Sequence, residues 1–479
     1  MTTPPFTLKT RFPALPAAGD ARPPRPLRVC IASFDFVGPV RNGGVGTAFT
    51  SLGEALAAAG HEVTLLYLSG DWCENRTMEH WIAHYRQKGI RFVPMPLQTA
   101  TRLDAPWHVV KSYEAYLWLK QQEFDAVHFS EWKGPGYFTL LAKHQGLALP
   151  HTLLCVHTHG PTLWHKLSNS EYVTQLDDLE MDYVERRSVA LADVVVSPSH
   201  YLFDWMQQQG WLLPENCFVQ QYVRPATARQ PLPNEANTPR AVKELVFFGR
   251  LEPRKGLVLF CDALDKLKAD AEFKRIKVSF LGKVDKVNGR DAADYVRDRA
   301  QAWPWKPQFI SDRDQAGAMD YLQGGPRLAV IPSLVDNLPN TVLECLGAQV
   351  PFLTSRAGGI PEMIAADDLD ATCFPLRASA FADTLREAVR HGVKPAREAV
   401  ESGANERAWV AWHEGQCKAA GAGLPAVSAE LAGAEPFVSI CLSHWNRPAY
   451  LQQALASIEA QDYRNFEVVL IDEIGRAHV

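Results

Sequence analysis

Short apolar runs alternate along this chain with amphipathic stretches long enough for a helix, and no other feature restricts the fold as much. Strands are expected at Leu27 to Phe34, Glu62 to Leu68, Ala126 to Phe129, Thr152 to His157 and Val194 to Val196, with a helix over Val45 to Ala59. A second series begins at Glu244. It has strands at Leu245 to Phe248, Lys277 to Leu281, Leu328 to Ile331 and Pro351 to Thr354, and helices near Leu257 to Leu267 and Thr341 to Leu346. Runs this apolar, closed by Gly, Pro or Ser, suit strands buried on both faces of a parallel sheet. Their alternation with helices marks doubly wound α/β layers. The expected fold is α/β, with two such domains facing a cleft.

With 479 residues, of which 47% are hydrophobic and 22% charged, the chain can bury two or three cores. The first domain is expected over 27–225 and the second over 240–400. Between them, Arg224 to Thr238 turns to Pro, Ala, Asn and Gln and loses its periodicity, as a hinge does. A tryptophan-bearing helix at 401–418 is expected to cross back to the first domain, and the Ala/Gly-rich 419–435 reads as a linker. Residues 1–26 are proline-rich without an apolar core, so they read as disordered, neither signal peptide nor membrane anchor. No stretch reaches transmembrane length, which leaves peripheral membrane attachment open. A net charge of -5 gives no sign of a nucleic-acid partner. The nine cysteines include no Cys-x-x-Cys and sit partly in strand-like runs, as reduced thiols of a cytoplasmic protein do.

The chemistry concentrates at strand ends. Val330-Ile331-Pro332-Ser333-Leu334-Val335-Asp336-Asn337-Leu338-Pro339 leaves a buried strand and enters a helix opened by Pro339, with Asn337 or a neighbour as cap. Asp336 and Glu344, eight positions apart, then flank the crevice outside the strand ends. Carboxylates accept hydrogen bonds from sugar or ribose hydroxyls, and amides at the turn Gly358-Gly359-Ile360-Pro361-Glu362 can hold a diphosphate. Two solvated acids on a surface helix are the plain alternative. After the strand Leu245 to Phe248, Gly249-Arg250-Leu251-Glu252-Pro253-Arg254-Lys255-Gly256 aims Arg250 and Lys255 into the same cleft, where two cations can offset charge on a departing diphosphate.

In the first domain the loop Asn42-Gly43-Gly44-Val45-Gly46-Thr47 joins a strand to a helix start, whose amides and dipole favour an anion. A dehydrogenase reading is weak, because Phe49 stands at the last glycine position of the fingerprint and no acid closes the second strand. His157 and His159 end another strand. Gly160-Pro161 implies a loop at the cleft and favours His159, with His157 second. Zinc ligation lacks further spaced ligands. Asp312-Arg313-Asp314 looks like a metal motif but falls at a helix start, where aspartate caps amides. No metal ligands and no cofactor are expected. Glu131-Trp132-Lys133-Gly134-Pro135-Gly136-Tyr137 follows a strand and reads either as an aromatic lining on which a sugar stacks or as ordinary loop packing.

Taken in order, the Gly44 loop, Gly249-Arg250-Leu251 with Lys255-Gly256, the Asp336/Glu344 pair and Gly358-Gly359-Ile360-Pro361-Glu362 resemble the retaining glycosyltransferases of family four, over about residues 27–418. The resemblance implies the GT-B fold, with two Rossmann-like domains, and metal-independent sugar transfer from a nucleoside-diphosphate donor to a glycan or lipid-linked acceptor, most often in polysaccharide or surface-glycan assembly. It implies donor phosphates on Arg250 and Lys255, ribose on Glu344, and the diphosphate or sugar at Gly358, Gly359 and the Gly44, Val45, Gly46 loop. His159, or second His157, belongs at the reacting sugar. The family usually carries glutamate where Asp336 stands, so the contact of that shorter side chain with the donor sugar is a departure. A donor-binding protein without catalysis, or a related epimerase or phosphorylase, shares these features.

From Pro436 the chain resembles the opening of an inverting family-two glycosyltransferase with the GT-A fold, a strand-helix-strand that ends before a metal motif. Residues 473–479 read like a translated adapter sequence, from which an artificial truncation is expected.

Overall fold

The computed structural model describes residues 12–16, 25–40, 43–96, 105–224, 238–420 and 437–472. The expected hinge falls largely outside them, as do Asn42, most of the expected linker and 473–479. Residues up to 421 form one compact unit and the remainder a second.

In the first unit, β1 (Arg28–Ser33), β2 (Glu62–Tyr67), β3 (Ile90–Pro94), β4 (Ala126–Ser130), β5 (Leu153–His157), β6 (Val194–Ser197) and β7 (Cys217–Val219) make a sheet of order β3-β2-β1-β4-β5-β6-β7. All its pairings are parallel. A second sheet follows from β8 (Glu244–Phe248), β9 (Lys277–Leu281), the small antiparallel ribbon of β10 (Lys286–Val287) and β11 (Arg290–Asp291), then β12 (Gln308–Ile310), β13 (Arg327–Ile331), β14 (Phe352–Ser355) and β15 (Cys373–Phe374). Apart from the ribbon its strands are parallel, ordered β12-β9-β8-β13-β14-β15. Val246, Phe247, Leu328, Ala329 and Val330 are wholly buried, as strands covered by helices on both faces require. Two Rossmann-like domains result.

Part of the proline-rich opening belongs to the fold, contrary to its reading as disordered. Phe12 packs 4.4 Å from the Phe203 ring, the Val219 amide donates to Pro13 O at 2.8 Å and Leu15 is buried. A segment with so few apolar residues still covers the open edge beyond β7, which an exposed strand needs.

The helix Ser402–Ala420 returns to the first domain. Asn405 Nδ2 donates to the carbonyls of Gln221 and Tyr222 at 3.2 and 3.0 Å, and Trp409 Nε1 donates to Gln221 O at 2.8 Å. Trp409 and Trp412 are buried among residues of β1, β2 and β5. Among the described residues no helix is long and apolar enough to cross a membrane.

The second unit holds β16 (Val438–His444) and β17 (Phe466–Asp472), parallel and joined through the helix Pro448–Glu459.

Candidate active site

Each sheet of the first unit reverses its strand order once, between β1 and β4 and between β8 and β13. Crevices outside the carboxyl ends of strands at such points are where open α/β sheets bind ligands. The loops leaving these four strands line one cleft of about 1910 Å³, with Asp35, Trp132, Arg250 and Asp336 each following one of them.

On the second domain, the chain leaves β8 through Gly249 and makes a single tight turn, Pro253–Lys255. Gly256 then takes φ 78°, and a Cβ there would lie 1.8 Å from Pro332 O, so only glycine lets this turn press against the end of β13. That contact brings Lys255 Nζ into an ion pair with Asp336 Oδ2. Arg254 Nη1 lies 3.4 Å from Asp336 Oδ1, and Ser333 Oγ donates to Oδ2 at 3.2 Å. Burial would raise the Asp336 carboxyl, but the Lys255 and Arg254 cations outweigh it and hold it below the usual carboxylate range. Burial draws Lys255 below its ordinary value, with Asp336 opposing. Arg254 is buried, donates to Glu252 Oε1 at 2.8 Å and lies 5.4 Å over the Trp164 ring. Arg250 is 47% exposed and only 3.5 Å from Glu252, so it is the cation freer to take a ligand.

Glu344, on the helix Asn340–Gly347, also lines the cleft and receives a hydrogen bond from Gln315 Nε2 at 2.9 Å. Burial pushes its carboxyl up to about 8. Behind it is a pocket of about 190 Å³ lined by Thr47, Tyr222, Arg224, Met319 and Leu343, among others. Asn337 does not cap the helix: Pro339 stands at the cap position without a side-chain bond. Asn337 instead accepts from Ser199 Oγ at 2.5 Å and donates to His159 O at 3.2 Å, joining the two domains. Asp314 does cap its helix, accepting from the Gly317 amide at 2.8 Å.

The Gly358-Gly359 turn is not part of the cleft lining. A Cβ on Gly358 (φ 59°) would meet Asp336 O at 1.9 Å, and the Gly359 amide donates to that same oxygen at 2.9 Å. The turn supports the Asp336 loop from behind and spends the Gly359 amide on it. Glu362 closes the motif by accepting from the amides of His200 and Tyr201 at 2.8 and 3.0 Å.

On the first domain, Gly44 and Val45 line the cleft while Gly46 is buried at the helix start. Asp35 Oδ2 accepts from the Gly43 amide at 3.1 Å, so a carboxylate of the chain already meets part of the positive helix end that the sequence suggested for phosphate. Across the cleft, Asn340 Nδ2 would lie 3.7 Å from a Cβ on Gly44.

His159 lines the cleft and His157 does not. The loop carrying His159 is held by Glu131, a wholly buried carboxylate that accepts from the amides of His159 and Gly160 at 2.7 and 2.6 Å. Burial pushes Glu131 up to about 7. The His159 ring stacks on Tyr222 with Nδ1 2.9 Å from its hydroxyl, and Nε2 has no partner among the described residues. Burial draws its pKa down to about 3, so the ring is neutral. His157 turns inward to a buried chain: His157 Nε2 is 2.8 Å from His128 Nδ1, His128 Nε2 is 3.0 Å from His413 Nε2, and His413 Nδ1 is 2.7 Å from Trp409 O. Because that carbonyl only accepts, His413 must donate from Nδ1, which fixes His128 as donor from Nε2 and His157 as donor from Nε2 when all three are neutral.

Sequence reasoning missed Arg254, Tyr222 and the clamping role of Glu131. Arg254 stood beside Lys255 in the motif, but its approach to Asp336 spans 82 positions and left no local signal. Tyr222 carried no local signal.

A cleft between two doubly wound domains, with a switch point of each sheet opening onto it, is the GT-B fold. Residues 43–219 match the family model described as a glycosyl transferase 4-like domain, and 229–407 match glycosyl transferases group 1. The two models fall one on each Rossmann-like domain. Solved structures agree on the fold. Sucrose-phosphate synthase from Thermosynechococcus elongatus shares 14% identity at TM-score 0.54, covering 90% of this chain and 100% of that one. The catalytic domain of starch synthase IV from Arabidopsis thaliana, bound to ADP and acarbose, shares 13% at TM-score 0.52, covering 83% and 98%. Anabaena HepE in complex with UDP shares 13% at TM-score 0.51, covering 85% and 100%. No curated protein matches the chain by sequence.

Proposed function

We propose that residues 27–418 transfer a sugar from a nucleoside-diphosphate donor to a hydroxyl acceptor with retention of configuration and without a metal, in glycan assembly. The observation that carries this reading is the meeting of Arg250, Lys255, Asp336, Glu344 and His159 on a single cleft.

The donor diphosphate lies against Arg250 and Lys255, whose fixed positive charge stabilises the pyrophosphate as the glycosidic bond breaks. Glu344 accepts from the ribose hydroxyls, and the pocket behind it takes the nucleoside. Asp336 sets Lys255 in place and faces the sugar. Tyr222, whose phenol burial holds far above its usual value, keeps its proton. It can therefore donate to His159 Nδ1, which leaves the ring proton on Nε2 to bond the reacting sugar. The departing phosphate accepts the proton of the attacking hydroxyl on the same face, which retains configuration. Closure of the two domains excludes water. The strand-helix-strand of 437–472 fits the opening of a second, family-two transferase, proposed on its sequence alone.

The test is a panel of nucleotide sugars, read by thermal stabilisation and by donor hydrolysis, then anomeric assignment of the product by NMR with and without a chelator. Stabilisation without turnover for every donor would leave a binding protein. An inverted product or a chelator-dependent rate would refute the mechanism.

A further inference from the structure

The carboxylate that faces the sugar is already committed. Asp336 spends Oδ2 on Lys255 and Ser333 and Oδ1 on Arg254, and its side chain is only 10% exposed. Arg254 is tied in turn to Glu252. An arriving hydroxyl therefore needs a partner from the opposite wall.

His165 stands there. Its short helix, Thr162–Ser168, opens straight after the loop that carries His159, and Thr162 is pinned by donating its amide and hydroxyl to buried Glu185 at 2.8 and 2.7 Å. Trp164 is buried, donates to the Tyr201 hydroxyl at 3.1 Å and lies beneath the Arg254 guanidinium. With its neighbours fixed in this way, His165 lines the cleft. A Cβ on Gly160 would lie 3.3 Å from His165 Nε2, so the imidazole abuts the residue next to His159. The charged groups that act on the ring are Arg254, Asp336, Lys255 and Arg250, all on the second domain. Its ring packs edge-on against Trp164, and among the described residues neither ring nitrogen makes a hydrogen bond. Burial, then Arg254, Lys255 and Arg250, with Asp336 opposing, draw His165 down to about 3, so the ring is neutral. A neutral imidazole carries one donor and one acceptor, whereas the cations facing it only donate.

We propose that His165 hydrogen-bonds a hydroxyl of the transferred sugar and so selects the sugar of the donor rather than its nucleotide. This deepens the transferase reading and rests on it. The place follows from the neighbours of the ring: the phosphates belong to Arg250 and Lys255 and the reacting carbon to His159, and His165 touches the loop of the second while facing the cations of the first. The class of ligand follows from its charge. A hydroxyl can give its proton to the bare ring nitrogen or accept from the protonated one, and both modes suit an imidazole that stays neutral. A phosphate oxygen only accepts, and it finds stronger, charged donors in the arginines and the lysine.

The experiment titrates the full chain calorimetrically with UDP, ADP and GDP, and with UDP-glucose, UDP-N-acetylglucosamine, ADP-glucose and GDP-mannose. The parent is compared with His165→Phe, which keeps a ring and removes both nitrogens, and with His165→Gln, which restores a donor and an acceptor. For the sugar nucleotide that binds the parent, His165→Phe should weaken binding by about tenfold, the effect of one hydrogen bond lost in a closed site, and leave the Kd of the matching nucleotide unchanged. His165→Gln should recover part of the loss. The loss should be equal at pH 6 and pH 8, because the ring is neutral at both. Unchanged nucleotide binding also reports that the variant is folded. The proposal fails if nucleotide and sugar nucleotide weaken alike, if neither weakens, if the loss grows toward pH 6, or if a nucleotide binds and no sugar nucleotide does. A parent that binds none of the seven ligands would instead count against the transferase reading.

Discussion

Lys255→Ala separates stability from catalysis at the centre of the site. Lys255 and Asp336 are both largely withdrawn from solvent, with side chains 18% and 10% exposed. Removing one partner of a buried pair costs about 3–5 kcal/mol because the other charge is left unpaired. Here Arg254 and Ser333 still reach Asp336, so the cost should fall to roughly 2–3 kcal/mol by the same argument. For a domain of this size that lowers Tm by about 5–10 °C. The loss of a positioned cation from developing phosphate charge should lower turnover by about 10²–10³. The double variant Lys255→Met with Asp336→Asn removes both charges, so it should regain part of the stability and none of the turnover. Calorimetric melting and donor hydrolysis on the three proteins check this. If Lys255→Ala hydrolyses donor at the parent rate, or if the double variant recovers turnover, the ammonium does not serve the phosphates.

Glu131 is buried with its carboxyl raised from 4.5 to about 7. A raised acid contributes stability in full below its unfolded pKa and loses it as pH rises through the folded value, so ionising Glu131 costs about 2–3 kcal/mol between pH 5 and 8 by linkage. Glu131→Gln should therefore flatten the fall in Tm over that interval, and an unchanged pH profile would refute the assignment. His413 is lowered from 6.5 to about 4 by burial, and a depressed base contributes stability above its unfolded pKa that is lost as pH falls toward the folded one. His413→Phe should lower Tm at pH 7.5 yet make the decline from pH 6.5 to 4.5 shallower than in the parent. Gly358→Ala puts a methyl into Asp336 O at a positive φ, and should cost more than about 2 kcal/mol and weaken donor binding, read by melting with and without nucleotide.

The sequence made the central strands legible because they are continuous apolar runs: Lys277 to Leu281 and the helix Leu257 to Leu267 fall where expected. The strands it did not reveal lie toward the sheet edges. Gln308–Ile310 and Cys217–Val219 are three residues each, too short for a period, and exist because a neighbouring strand offers them hydrogen bonds. Residue types at strand ends were enough to bring Arg250, Lys255, Asp336, Glu344 and His159 to one cleft, since a parallel sheet delivers every such end to the same side. What those residues bind locally was not legible. The Lys255 pairing with Asp336, the support from Gly358 and the Glu131 clamp depend on contacts across 22 to 81 positions of chain, which no spacing rule encodes.

The return of the helix Ser402–Ala420 also shapes how this molecule can move. The polypeptide passes between the halves twice, and the two passages are fastened side by side: Arg224 pairs with Glu398 at 2.6 Å and donates to Ser402 at 2.7 Å, and Asn405 holds the Gln221 and Tyr222 carbonyls. A body fastened along such a line turns about it as a door does about its pin. Tyr222 lies on that line, so a turn about it would leave the bond to His159 in place and would have to break the Asn337 and Glu362 contacts before the gap between Gly44 and Asn340 changed.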